Sequence, residues 1–187
     1  MNVLLKGATV RKNKTKGIRD TLIVILMLQG AIGGAKGPEF FLKSVHEEEN
    51  IVVDAKDRLE CIGLATEVFK GYIDRNFLRL GLNVPSKATK PTRALMFEIK
   101  KDARFVDIFT RKTYWEQNQV VEFCRSHRTK LMGDYHSTLF PIKVGEKVFI
   151  VCVTVGEDGL LVARLCLPDF KGLWKGGFHH IVVFPET

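Results

Sequence analysis

A chain of 187 residues, 45% hydrophobic and 27% charged, is long enough for one substantial core and too apolar to be disordered. It carries no low-complexity tract and no repeat of solenoid period, which excludes repeat and biased-composition architectures. The formal net charge is +8, and residues 1–20 hold six Lys or Arg against one Asp, so most of the excess sits at the N-terminus.

That basic arm, with Arg11, Lys12, Lys14, Lys16 and Arg19, is suited to neutralising phosphates and releasing counterions. A solvated tail and a segment ordered inside a larger assembly are its alternatives. Residues 21–35 (TLIVILMLQGAIGGA) are apolar and follow basic residues, as in the opening of a secretory signal. The run is shorter than the roughly 20 residues a spanning helix needs, and its second half is glycine-rich. A buried helix capped by Asp20 is the preferred reading, with no membrane span. A targeting segment over 1–35, in a secreted or membrane-anchored protein, is the alternative.

Pro38 suits the first turn of a short helix through FFLKSVHEEE, with Glu47, Glu48 and Glu49 at its solvated end. Residues 51–53 are a short apolar run. Asp54 is placed to cap a long helix over 55–80, with Asp57 in its first turn. Leu59, Ile62, Thr66, Phe69, Ile73, Phe77 and Leu80 recur there at helical spacing, and Gly81 supplies a stop. Residues 83–92 form a loop with two prolines, made basic by Lys87, Lys90 and the following Arg93.

The pattern then changes to strands. Residues 94–100 and 104–110 read as a hairpin through Lys101 and Asp102, and 116–132 as a helix. Residues 147–155 (KVFIVCVTV) are apolar on both faces and belong in the middle of a sheet. A turn at 156–159 leads to an antiparallel strand at 160–167, and 178–184 is the last strand. The expected fold is α+β: an antiparallel or mixed sheet of about five strands with helices packed on one side. In domain terms, 1–20 is the arm and 21–187 a single domain, helical over 21–82 and strand-rich over 93–187.

Cys61, Cys124, Cys152 and Cys166 lie in apolar or helical patterns without C-x-x-C spacing, as buried hydrophobes of a reducing, cytoplasmic compartment. Cys124, His127 and His136 fall short of the about four ligands zinc requires. No nucleophile elbow, Walker loop or H-E-x-x-H is present, and Gly30, Gly33 and Gly34 do not follow a strand.

Three clusters carry candidate chemistry. Glu98 and Lys100, two apart at a strand end, share a face, and a carboxylate beside a lysine can hold a divalent metal for phosphodiester cleavage. The pair resembles the E-x-K half of the restriction-endonuclease-like signature. That resemblance implies a metal-dependent nuclease, but the aspartate the signature needs is missing between Asp74 and Glu98; Glu60 or Glu67 would have to replace it. An exposed, salt-linked strand end is the simpler reading. In the second cluster, Arg125, His127, Arg128, Lys130, Tyr135 and His136 read first as a solvated basic face, then as a phosphate contact. Last comes metal-free RNA cleavage with histidine as acid or base. In the third, Trp174 between Lys171 and Lys175 is placed to stack on a base, to anchor a protein interface or to fold onto the core. Strand alternation puts His179 and His180 on opposite faces, unable to serve one site.

Charge therefore favours a non-enzymatic, nucleic-acid-associated accessory protein that contacts phosphates through its basic clusters. The alternatives are a structural subunit of a larger assembly, such as a virion neck or tail or a ribosome-like particle, and the nuclease. No cofactor is expected beyond a divalent metal in the nuclease case. Residues 131–187 hold five Lys or Arg against six Asp or Glu, which marks the C-terminal strands as scaffold.

Overall fold

The computed structural model describes residues 38–57, 60–133, 136–167 and 172–186. The basic arm and the apolar run at 21–35 lie outside these, as do Leu59, Tyr135 and Lys171. Residues 37–187 form a compact unit of their own.

This unit is a mixed sheet of eight strands rather than five. The strands are β1 (Leu42–Val45), β2 (Val52–Val53), β3 (Tyr72–Ile73), β4 (Thr92–Ile99), β5 (Thr138–Val144), β6 (Lys147–Val155), β7 (Leu161–Cys166) and β8 (Ile181–Pro185). Their order is β1-β4-β8-β5-β6-β7-β3, with β2 on β4. The β5–β8 and β3–β7 pairings are parallel, and the rest antiparallel. β6 has the expected limits, and β7 lies one residue inside its expected span at each end. β5 is not among the expected strands; although Pro141 stands within it, it pairs along its whole length with β6.

Both faces of the sheet are covered, which corrects the one-sided arrangement. Phe140, Val151, Val153 and Val183 pack beneath α3 (Gln117–Ser126) through Val120 and Phe123. On the other face Leu139, Ile150, Val182 and Phe184 meet α2 (Phe105–Ile108) through Phe105 and Ile108. The cause is the apolar character of β6 on both faces: alternation sends Val151 one way and Ile150 the other, and each needs cover.

The long helix over 55–80 does not form. That stretch holds a 3-10 turn at Ile62–Leu64, then β3, then the single turn α1 (Asn76–Arg79). Ile62, Phe69 and Phe77 are buried as the spacing implied, but Leu80 is exposed. Two glycines show why the chain bends. A Cβ on Gly63 would stand 3.1 Å from the Phe77 Cβ, and one on Gly71 3.1 Å from the Leu161 carbonyl oxygen. Gly71 donates its N–H to that carbonyl at 3.0 Å, seating the segment on the edge of β7.

The expected strand at 104–110 is α2 instead. The Arg104 N–H and Nε both donate to Asp107 Oδ2 at 3.1 Å, closing the first turn. Phe105 and Ile108 then fall on one buried side, a spacing of three that suits a helix. The expected helix after Pro38 is a 3-10 turn, Pro38–Phe40, followed by β1, whose Leu42 pairs with Ile99. The helix expected over 116–132 ends at Ser126, followed by a 3-10 turn at Arg128–Lys130.

Candidate functional site

Among the described residues, those singled out for phosphate contact are dispersed. Arg93 stands near one end of β4 and Glu98 near the other, five residues and about 17 Å apart along a strand. Lys87 and Lys90 precede the Arg93 end; their carbonyls accept from Asn118 Nδ2 at 2.9 Å and Thr92 Oγ1 at 3.0 Å. Arg93 itself pairs with Glu186 at 3.3 Å.

The cluster at the end of α3 is consumed by ion pairs. Arg125 reaches Glu122 at 2.7 Å, Glu67 at 3.1 Å and Glu60 at 3.3 Å. Glu122 also takes Lys56 at 2.7 Å and the Ser126 hydroxyl. Burial opposes the Glu122 charge, but Lys56, Ser126 and Arg125 outweigh it and hold the carboxyl below its usual range. Arg128 donates to the Gly159 carbonyl and Lys130 pairs with Glu49. His127 Nε2 donates to the Val52 carbonyl at 2.9 Å, and its ring packs on Phe123. Cys124 is buried in the core, where desolvation pushes its thiol well up. These groups are all engaged by partners within the fold.

His136 belongs elsewhere. It joins His179, His180 and Glu98 at the corner where β4, β5 and β8 begin or end. Glu98 lies opposite Ile181 in the β4–β8 register, and Ile181 lies opposite Thr138 in the β5–β8 register. The His136 ring is 6.0 Å from His179 and 6.3 Å from His180, centroid to centroid. This overturns the separation of His179 and His180 onto opposite faces. Strand alternation begins only at Ile181, and His179 has φ 50°, a left-handed conformation that reverses the chain. Gly176 and Gly177 prepare the reversal. A Cβ on Gly176 would lie 2.5 Å from the Lys101 Cα, and Gly177 has φ 87°.

Hydrogen bonds fix the proton positions of all three rings. His136 Nδ1 faces the Phe178 carbonyl and His179 Nδ1 faces a Glu98 carboxylate oxygen. Both partners only accept, so both Nδ1 atoms carry hydrogen and both Nε2 atoms are bases in the neutral ring. Among the described residues neither Nε2 has a hydrogen-bond partner. His180 is reversed: its Nδ1 accepts the Ser137 N–H at 3.1 Å. Burial, then the nearby His136, lowers its pKa and favours the neutral ring. His180 thus braces the corner, and His136 and His179 each keep an Nε2 without a partner among the described residues.

Beside the histidines is a cavity of about 260 Å³ lined by Leu173, Trp174, Lys175, Phe178 and His180. Phe178 is 55% exposed and stacks over His180 with ring planes 15° apart. Trp174 folds back onto the core against Phe105, 5.3 Å between ring centroids, and its backbone bonds to Ala103 at 2.8 and 2.9 Å. Its indole Nε1 is shielded from solvent without a partner. Lys175 pairs with Asp102 at 2.7 Å. Lys43, opposite Glu98 in the β1–β4 register, and the exposed Lys100 have no ion pair among the described residues.

Glu98 therefore serves His179 here. Among the described residues no group of three or more His, Cys, Asp or Glu side chains could hold a metal ion. Also among them, no helix is long and apolar enough to cross a membrane. The fold and corner thus define a mixed-sheet α+β protein with two neighbouring histidines at one end of its sheet. The chain matches no family model, and no curated protein or solved structure is significantly similar to it.

Proposed function

We propose that this chain is a nucleic-acid-associated protein that engages single-stranded RNA at the histidine corner. The observation that carries the reading is the convergence of His136 and His179, each with a free Nε2, beside an exposed phenylalanine ring and an apolar cavity. Imidazoles with unoccupied nitrogens hydrogen-bond phosphate oxygens, and do so most strongly when protonated. Phe178 offers a face for a base. Lys43 and Lys100 add positive charge nearby. Residues 1–36 carry +6 of the net +8, leaving +2 on 37–187, so non-specific attraction is assigned to the arm and local contact to the corner.

The test is fluorescence anisotropy with a labelled single-stranded RNA, titrated with salt. The reading expects binding that weakens steeply with salt and falls in both His136→Ala and His179→Ala. Absence of binding at low salt, or affinity indifferent to both substitutions, overturns it.

One feature favours a second reading, strand cleavage without metal. Two bases side by side, one oriented by a carboxylate, are the parts of a general acid–base pair for attack by a 2′-hydroxyl on its own phosphodiester. Cleavage of RNA but not DNA in the presence of a chelator, lost in His179→Ala and impaired in Glu98→Gln, is the expected result. An intact RNA after prolonged incubation removes this second reading and leaves the binding one standing.

A further inference from the structure

A pair of thiols lies across the β6–β7 hairpin, independent of the histidine corner. Cys152 on β6 and Cys166 at the end of β7 approach to 2.9 Å between sulfur atoms. They are diagonal neighbours: Cys152 is opposite Arg164, and Cys166 opposite Ile150. Both side chains point to the sheet face covered by α2, where Cys152 is buried and Cys166 half-buried at the edge. The other thiols, Cys61 and Cys124, are buried.

The two sulfurs have different chemistry. The contact with Cys152 pulls the Cys166 thiol down against the opposing effects of burial and Asp74, while Arg164 assists. The same contact and burial push Cys152 up. Cys166 is thus the more accessible and more easily ionised partner, and Cys152 an internal thiol against its flank. A disulfide needs the sulfurs to close from 2.9 Å to about 2.05 Å, a short movement.

We propose that Cys152 and Cys166 are a redox-active dithiol that hydrogen peroxide converts to an intramolecular disulfide. The Cys166 thiolate attacks one peroxide oxygen. The O–O bond breaks, hydroxide leaves and takes a proton to become water, and Cys166 becomes a sulfenic acid. The Cys152 sulfur then attacks the Cys166 sulfur. An S–S bond forms, the S–O bond breaks, and the departing hydroxide takes the Cys152 proton as a second water. Two thiols lose two electrons and one peroxide gains them. A dithiol reductant reverses the step by exchange.

The experiment treats the full chain with hydrogen peroxide and follows it by intact mass and non-reducing peptide mapping. The expected result is loss of two hydrogens, a linked peptide joining Cys152 to Cys166, and recovery of both thiols with dithiothreitol. Cys152→Ser should leave a sulfenic acid at Cys166 that dimedone traps, whereas Cys166→Ser should give neither link nor adduct at this hairpin. The wild-type map decides even if a variant folds poorly. Overoxidation of Cys166 without a link, or a link through Cys61 or Cys124, overturns the proposal.

Discussion

The end of α3 and the start of β8 both gather residue types suited to phosphate chemistry, and the fold treats them in opposite ways. At α3, Arg125 is shared among Glu60, Glu67 and Glu122, Lys56 meets Glu122, and His127 is spent on a carbonyl. At β8, His136 and His179 each spend one nitrogen on being held and keep the other. Residue type shows what chemistry is available. Which atoms remain unspent shows where it can be used.

The largest effect should come from the structural end. Glu122→Ala leaves Lys56 and Arg125 without their common carboxylate and should cost about 3 kcal/mol in urea denaturation. RNA affinity of the folded fraction should not change. A loss below 1 kcal/mol or so, typical of exposed pairs, would break the contrast from this side.

The corner should respond in reverse. His136→Ala and His179→Ala should each weaken RNA binding about tenfold, or roughly 1.4 kcal/mol, while shifting stability by about 0.5 kcal/mol or less. If they unfolded the protein instead, the corner would serve the fold, as the end of α3 is expected to.

His180 sharpens the comparison inside the corner. Its folded pKa lies below the ordinary imidazole value, so the unfolded chain takes up this proton first. Its contribution is complete above pH about 6.5 and is lost as pH falls toward the depressed folded value. Denaturation on both sides of that window should show an acid-side decline that His180→Asn reduces. A decline unaltered by that variant would place its origin elsewhere. The smallest effect belongs to Arg93→Ala: its pair with Glu186 is about 40% exposed on both sides and should contribute no more than about 0.5 kcal/mol to stability.

Part of this was legible in the residues. The limits of β6 followed from KVFIVCVTV, and β7 from the apolar run beyond the turn. Glu98 and His136 stood out as chemistry-bearing residues, but their common location did not, because β4 and β5 are joined only through β8. The expectation for His179 and His180 fails because the last strand, expected from 178, begins three residues later at Ile181. Gly176 and Gly177, just before them, were the available signal. At 55–80, helical spacing marked buried Ile62, Phe69 and Phe77 but no helix, since Gly63 packs against Phe77 of the same stretch and Gly71 against the backbone of Leu161.

What the sequence determined by itself is local: the apolar β6, the turn after it, the charge at the N-terminus and the residue types on offer. These depend on periodicity, composition and turn chemistry between near neighbours. Tertiary structure alone decided which cations were neutralised, which sheet face each helix covers, and that Glu98, His136 and His179 meet. Those outcomes depend on partners far apart in the chain, such as Glu98 and His179, and on close approaches that only the packed fold creates.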